Sequence, residues 1–497
     1  MTQAGTVLGV TVLGACRSPE YAIPPADGPL EIELRHPSAD PVPATDSIAL
    51  WGTVGTGKAR LRVNGHPVPV ESNGGFAAFL PLPAGDAPVL EFEATKGEQT
   101  LRRSFPVTLR RAAATPPQER IHPVRGWVRL RRLPSDTMDR ATLERPVFGR
   151  WTPGGDLALP LPLGTRLPTD AGTEAEVRLR LARNVAVWVN RVDAEPVPAP
   201  RTSLTPVRTL TLTRAGARTV VGLDTPDLRP TAVDVLGDRV RWTLFGVRAG
   251  SSATLETPVG IVRHASMRDR GDGRVVVDLV LAAPLLGWRS TWRAGRATLE
   301  LRPLAVTGTG LGGLVVALDP GHLPGGATGP TGLTEDSINL AVALETARRL
   351  QALGARPILT RGSPDPVSLD ARVEIADAAD VELFVSIHAN SPGDGRPPES
   401  VDGTRIYWWH PHAFPLARAL RDSVPVATGQ LRMGTVQSNL AVLRSTWYPA
   451  VLIETTALVL PRREAWLRSP EGIAQSAAGI IGGIQAWQAS RAAGPSR

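Results

Sequence analysis

The chain has 497 residues, of which 42% are hydrophobic and 21% charged, so its length predicts two to four domains and excludes a single core. Its formal charge of +8 comes mainly from arginines, because lysine occurs only at Lys58 and Lys96. The arginines are scattered and form no basic block, so nucleic-acid binding is not predicted. No apolar run reaches the length of a spanning helix, and the single cysteine, Cys16, excludes internal disulfides and a cysteine-based structural zinc site.

Residues 1–16 end in the apolar stretch "AGTVLGVTVLGAC", which resembles the signal segment of a bacterial lipoprotein. This resemblance implies export to the cell envelope, periplasm or cell surface, with Cys16 as the lipid-anchored first residue and the only attachment to a membrane. Met1, Thr2 and Gln3 lack the usual positive charge, so an ordinary N-terminus with one cysteine is the alternative. The Pro-rich residues 17–28 are interpreted as a linker.

Residues 29–112 alternate apolar and polar side chains in short segments separated by Gly, Pro and Asn, which predicts an all-β sandwich. The pair Asn64-Gly65 predicts a hairpin turn, because both residues tolerate a positive φ. The segment resembles the immunoglobulin-like modules of secreted bacterial proteins.

Residues 121–197 and 198–310 contain many further strand patterns and no apparent chemical site. The first of these segments resembles an SH3-like fold. Trp188 and Trp292 are interpreted as buried sheet residues, with a glycan-stacking surface as the alternative.

Residues 313–490 differ, because apolar strands alternate there with amphipathic helices. This alternation predicts a C-terminal α/β domain with a mostly parallel sheet flanked by helices. The predicted strands are 314–318, 356–360, 383–387, 404–409 and 450–454. The predicted helices are 337–353, a helix capped by Ser368, 416–423 and 471–488. The whole chain is therefore expected to be multidomain, with all-β modules preceding the α/β domain.

Three polar residues follow or end predicted strands of this domain: His322, His388 and Glu454. Ligands bind outside the carboxyl ends of parallel strands, so these side chains should meet at one rim, and the loop residue Glu335 can reach it. Two histidines and a carboxylate form the ligand set of a catalytic zinc site, and a further carboxylate can act as general base. Singly, a histidine there could be an ordinary loop residue, and Glu335 could merely stabilise a helix N-terminus.

The stretches "VVALDPGH", "TGLTEDSINLAVAL", "SLDARVEIA", "LFVSIHANS" and "PAVLIET" resemble the zinc-dependent N-acetylmuramoyl-L-alanine amidases that cleave bacterial cell wall. The resemblance implies one Zn²⁺ held by His322, Glu335 and His388, with Glu454 as the catalytic acid/base acting on a Zn-activated water. It also implies peptidoglycan as substrate and cleavage between N-acetylmuramic acid and L-alanine. Residues 198–310 resemble the β-rich targeting module that often precedes such amidases.

The chain departs from the family pattern at Leu323-Pro324, which displace the usual Gly-Gly, and at Thr455-Thr456, which replace the usual Gly-Phe. His410 and His412 flank a proline and are interpreted as an exposed loop outside the metal set.

The β modules are expected to bind anionic wall polymers or a cell-envelope protein. Two alternatives stay open. One is a non-catalytic wall-binding or regulatory protein on a degenerate amidase fold, and the other is a zinc hydrolase that cleaves a different amide.

Overall fold

The computed structural model describes residues 21–38, 40–110, 120–133, 143–304, 310–322 and 325–493. A β-rich N-terminal region precedes a C-terminal domain with helices and a mixed sheet, which confirms the predicted order of the two classes of structure. Cys16, the rest of the predicted signal segment and Leu323-Pro324 lie outside the described residues. Among the helices described, none is long and apolar enough to cross a membrane.

The first unit is built from two main sheets around one apolar core. Three strands pair in the order β1-β3-β6, four pair in the order β5-β4-β7-β8, and β2 pairs with β9. Asn64 and Gly65 have φ of 50° and 77° and join β4 to β5, so the predicted hairpin is confirmed. The strands are β1 Glu33–His36, β2 Val42–Pro43, β3 Ser47–Thr53, β4 Arg60–Val63, β5 His66–Val68, β6 Gly75–Pro81, β7 Val89–Lys96, β8 Gln99–Pro106 and β9 Leu109–Arg110.

The second unit is a seven-stranded antiparallel sheet in the order β12-β11-β15-β14-β13-β10-β16. Alternate residues of β14 and β15 supply its core, and Trp188 is 4% exposed, in agreement with its interpretation as a buried sheet residue. The strands are β10 His122–Leu130, β11 Val147–Arg150, β12 Leu157–Leu161, β13 Arg166–Gly172, β14 Glu176–Ala182, β15 Val185–Asn190 and β16 Ala194–Val197.

The third unit consists of two five-stranded sheets, β21-β17-β18-β26-β25 and β19-β20-β24-β23-β22. Val221 and Leu299 of the first sheet share a core with Trp242 and Val277 of the second, so the sheets pack face to face. The strands are β17 Thr205–Ala215, β18 Arg218–Asp224, β19 Thr231–Leu236, β20 Arg239–Phe245, β21 Val247–Ala249, β22 Ala253–Leu255, β23 Val262–Asp269, β24 Arg274–Leu281, β25 Leu285–Arg293 and β26 Arg296–Pro303.

The C-terminal domain has a six-stranded sheet in the order β28-β27-β29-β32-β30-β31. Its only antiparallel neighbours within the described chain are β30 and β32. The strands are β27 Val315–Pro320, β28 Arg356–Leu359, β29 Leu383–Asn390, β30 Thr404–Trp408, β31 Arg432–Gln437 and β32 Ala450–Ala457. The helices are α1 Glu335–Ala352, α2 Leu369–Ala378, α3 Phe414–Thr428, α4 Pro461–Arg468 and α5 Pro470–Ala493.

Apolar cores cover both faces of this sheet. Helices α1, α3 and α5 pack on one face, whereas α2 and the segment 441–448 pack on the other. Ser368 caps α2 by accepting a hydrogen bond from the Ala371 amide, as predicted. The alternation of side chains along each strand therefore decides which residues lie on the α2 face of the sheet.

Several predicted boundaries were wrong. Strands β29 and β32 continue beyond His388 and Glu454, because their parallel pairing extends to Asn390 and Ala457. Glu335 is the first residue of α1 and does not lie in the preceding loop. Strand β31 and helix α4 were not predicted.

Candidate active site

Adjacent strands bring the sequence-predicted residues to one rim of the sheet. Strand β29 lies between β27 and β32 and is parallel to both. His322 follows β27, His388 lies in β29 and Glu454 stands directly opposite His388 on β32. Glu335 reaches the same rim from the first turn of α1. All four predicted residues are thus brought together.

His322, Glu335 and His388 form a compact cluster whose candidate ligand atoms all lie within 4.8 Å of one another. Nε2 of His322 is 3.0 Å from Oε2 of Glu335, and Nδ1 of His388 is 3.1 Å from Oε1. Ligand atoms on a tetrahedral Zn²⁺ are separated by about 3.4 Å, given bonds of about 2.0–2.1 Å. The three side chains therefore fit a single small cation.

Glu335 is buried, yet it is stabilised as a carboxylate. Burial opposes its charged form, but hydrogen bonds with His322 and His388 outweigh burial and lower its pKa to about 2. The amides of Ala327 and Ala389 also donate to its oxygens, at 3.1 and 3.3 Å. The pKa of His388 is lowered by burial, but Glu335 and the charge of Glu454 reverse that effect and raise it overall.

Glu454 has a different electrostatic environment. Burial raises its pKa to about 7, opposed by the charge of His388 and reinforced by that of Glu335. Its Oε2 atom is buried without a hydrogen-bond partner in the described structure. Nδ2 of Asn390 and Nε of Arg405 are also buried and unpaired. Unpaired buried polar atoms are rare, so this group indicates a surface shaped for a ligand.

A buried ion pair supports the turn that carries His322. Asp319 and Arg372 are 2.8 Å apart and almost fully buried, and Arg372 donates to the His322 carbonyl at 2.7 Å. Arg361 donates to the carbonyls of Pro320 and Gly321 at 3.0 and 3.1 Å. These bonds hold His322 at a φ of 63°, a conformation that non-glycine residues rarely adopt.

Two glycines keep the cluster compact. A Cβ atom at Gly321 would lie 2.2 Å from Nε2 of His388, and one at Gly326 would lie 2.9 Å from Oε2 of Glu335. Backbone therefore approaches the ligand atoms at positions where no side chain fits.

His410 and His412 were expected in an exposed loop, and this prediction was wrong. Both rings pack edge-on against Trp288 of the third unit, with centroids at 5.9 and 4.8 Å. Burial lowers the pKa of His412 to about 3. The pair follows Trp408, at the end of β30 away from Glu454, so it lies outside the candidate metal cluster.

The sequence profile of the N-acetylmuramoyl-L-alanine amidase family matches residues 316–486, which contain the whole cluster. YqiI of Bacillus subtilis strain 168, an uncharacterized protein, is 32% identical over 206 residues, or 40% of this chain and 97% of YqiI. The chain belongs to the N-acetylmuramoyl-L-alanine amidase family. It is also 32% identical over 145 residues to the amidase LytC of the same strain, covering 29% of each protein.

Among solved structures, this amidase-family chain resembles the N-acetylmuramoyl-L-alanine amidase AmiC2 of Nostoc punctiforme. The two are 35% identical over 35% of this chain and 97% of AmiC2, with a TM-score of 0.33. The chain spans less than a third of the length of LytC.

Three charged residues at or near the rim of this amidase-family chain were not predicted: Asp319, Arg372 and Arg405. A signal existed for each of them, because a charged residue within an apolar strand or on the buried side of a helix requires a partner. Asp319 accepts hydrogen bonds from Thr360 and Ser386 in addition to its ion pair with Arg372. Sequence alone did not indicate which residues were the partners.

Proposed function

We propose that this protein is a zinc-dependent peptidoglycan hydrolase that cleaves the amide bond between N-acetylmuramic acid and L-alanine of the stem peptide. One observation carries the proposal. Two imidazoles and a carboxylate converge within 4.8 Å, and Glu454 stands opposite one of the imidazoles inside the segment matched to the amidase family.

The donor set fits Zn²⁺ better than it fits the hard cations. Imidazole and carboxylate suit zinc, whereas Mg²⁺ and Ca²⁺ prefer ligand sets made of oxygen. His322, Glu335 and His388 would hold the ion. When bound, Zn²⁺ supplies Lewis acidity that polarises an amide carbonyl and makes water a stronger acid.

Glu454 is proposed as the general acid/base. A pKa near 7 lets one carboxyl group accept a proton from the attacking water and then deliver it to the departing amine of L-alanine. Its unpaired Oε2 atom is free to take part in this transfer. Thr455, which replaces the usual glycine, donates to the His388 carbonyl at 3.0 Å and so joins the two strands of the site.

The other units are proposed to hold the enzyme at the cell envelope. Residues 29–112 would form an immunoglobulin-like module, 121–197 an SH3-like module and 198–310 a targeting module. They would bind anionic wall polymers or an envelope protein, and Cys16 would carry a lipid anchor.

The test compares the wild type with Glu454→Gln, and uses Glu374→Gln as a control at an exposed position on α2. Bound zinc is measured by mass spectrometry of the metal, and activity by release of dye-labelled peptidoglycan. All three proteins should bind about one zinc, and only Glu454→Gln should lose activity, by about 100-fold or more. A wild type that binds zinc but releases no more dye than Glu454→Gln would support the non-catalytic alternative.

The masses of the products identify the bond. Only cleavage next to N-acetylmuramic acid yields intact stem peptides that begin with a free L-alanine. Peptides shortened at another position would show a hydrolase that acts on a different amide.

A further inference from the structure

Arg405 lies beside the proposed catalytic residue without a role in the metal cluster. It is directly opposite Glu454 on β30, and Glu454 is directly opposite His388 on β29. Directly opposite residues on neighbouring strands point to the same face of a sheet. His388, Glu454 and Arg405 therefore form a row across three strands on the α2 face.

The position of Arg405 in this row is fixed by the backbone around it. The Thr404 hydroxyl donates to the Thr455 carbonyl at 2.9 Å, which holds the start of β30 against β32. On the other side, Arg405 pairs with Gly434 of the edge strand β31. A Cβ atom at Gly434 would meet no atom within 4 Å, so the row opens into free space beyond Arg405.

The charge of Arg405 is not neutralised by an ion pair with any carboxylate in the described parts of the chain. Its Nε atom is buried and unpaired, although the residue as a whole is only partly buried. A guanidinium in this state can bind a carboxylate through two parallel hydrogen bonds.

The spacing of the row suits a short anionic peptide. Strands lie about 4.8 Å apart, so the backbone of Arg405 is about 10 Å from that of His388. An extended peptide advances about 3.5 Å per residue, so a carboxylate on the second stem residue lies about 7 Å from the scissile carbonyl. The arginine side chain is long enough to span the remaining distance between its backbone and the carboxylate.

We propose that Arg405 binds a carboxylate of the stem peptide, on the second residue after the scissile amide, and so selects substrates in which that carboxylate is free. The inference rests on the proposed function, because it assumes that a muramyl peptide occupies the rim. Arg405 is a substrate-binding residue in this view and takes no part in proton transfer.

Binding is measured by calorimetry on zinc-loaded Glu454→Gln protein, so that hydrolysis does not interfere. The two probes are muramyl dipeptides in which the α-carboxyl group of D-glutamate is either free or amidated. The free acid should bind about 10- to 100-fold more tightly, the range expected for hydrogen bonds to a charged group. Adding Arg405→Gln should abolish this difference in affinity, because only the binding of the free acid should weaken. Adding Arg405→Lys should retain part of the difference.

The control is Arg356→Gln in the same Glu454→Gln background, at an exposed arginine on the opposite edge strand β28. It should leave the preference unchanged. The proposal would be overturned if Arg405→Gln weakened the binding of both probes equally, or if the preference for the free acid survived this substitution. A failure of both probes to bind would also overturn it. An inactive wild type that still prefers the free acid would refute only the proposed hydrolysis.

Discussion

Glu335 and Glu454 lie close together, but their pKa values are shifted in opposite directions. Glu335 has two imidazoles and two backbone amides as partners, and its pKa falls to about 2. Glu454 is partly buried as a residue but has a buried, unpaired oxygen, and its pKa rises to about 7. Separate pKa values of this kind are what the proposed roles require, with Glu335 as a permanently charged ligand and Glu454 as the group that exchanges protons.

A third titratable residue, His412, should control stability in mild acid. Its pKa falls from 6.5 to about 3 because burial excludes the charged ring, and the charge of His410 adds to this effect. Only the unfolded chain takes up a proton as the pH drops below 6.5, so stability is lost from there down to about 3. The loss from one such group is at most about 1.4 kcal/mol per pH unit.

His412→Phe removes this proton uptake and keeps an aromatic ring against Trp288. The thermal midpoint of the variant should therefore fall less than that of the wild type between about pH 7 and about pH 5. The exposed His66 provides the control, since His66→Phe should leave the pH dependence unchanged. An identical slope in wild type and His412→Phe would show that this ring is not buried in its neutral form.

At the level of elements, the sequence was sufficient to predict the strands that form the rim, but it was insufficient to predict the edge strand β31. β27, β29 and β32 are short apolar runs between polar turns, and their pattern is unambiguous. β31, with the sequence "RMGTVQ", has a glycine in its middle and little alternation, and it becomes a strand only by pairing with β30. His322, His388 and Glu454 could be predicted from strand ends. The contacts that support His322, from Arg361 after β28 and Arg372 on α2, could not be, because the sequence does not show which groups these arginines meet.

Helix α2 holds the His322 turn through Arg372. The left-handed backbone of His322 costs about 1–2 kcal/mol, which the bonds from Arg372 and Arg361 offset. Arg372→Lys keeps the charge near Asp319 but loses the fork that reaches both Asp319 and the His322 carbonyl. Zinc affinity should fall by about 10- to 100-fold, the usual effect of removing support from a metal ligand.

Competition with a chelator measures that affinity, and the thermal midpoint reports on folding. Arg348→Lys, at an exposed ion pair with Glu345 on α1, is the matched control and should change neither quantity. Arg372→Met should cost more, about 3–5 kcal/mol of stability, because it leaves Asp319 charged and buried without its partner. Unchanged zinc affinity in a folded Arg372→Lys protein would rule out support of His322 by α2.

On the scale of the whole molecule, the first and third units contact opposite ends of the C-terminal sheet. Trp51 of the first unit is 5% exposed and packs against Val459, just after β32. Its indole nitrogen donates to the Thr328 carbonyl at 2.9 Å, in the segment between His322 and Glu335. The first unit thus contacts two loops of the rim. Trp51 and Thr328 are 277 positions apart in the chain, so the sequence could not reveal this contact.

The third unit contacts the opposite end of the sheet. The Trp288 amide donates to the Thr446 carbonyl at 2.8 Å, and the Thr446 hydroxyl donates back at 2.7 Å. Arginines of this unit surround Trp447, with guanidinium carbons at 4.5 to 5.4 Å from its ring. The same contact buries His410 and His412, so their burial depends on two domains being docked.

Gly287 offers a sharp test of this docking. A Cβ atom there would lie 2.2 Å from the Trp447 carbonyl oxygen, a backbone atom with little freedom to move. Gly287→Ala should therefore separate the third unit from the C-terminal domain, lower the thermal midpoint and expose Trp447 to solvent. Gly250→Ala is the control in the same unit, because a Cβ atom at Gly250 meets nothing within 4 Å.

Tryptophan fluorescence and limited proteolysis distinguish the outcomes. In Gly287→Ala the emission should shift to longer wavelength and the protein should be cleaved faster, while Gly250→Ala matches the wild type. Undocking should also return His412 to water, so the acid sensitivity that we assign to this residue should decrease in the same variant. A Gly287→Ala protein with wild-type fluorescence, proteolysis and acid response would show that the two domains do not dock through this surface.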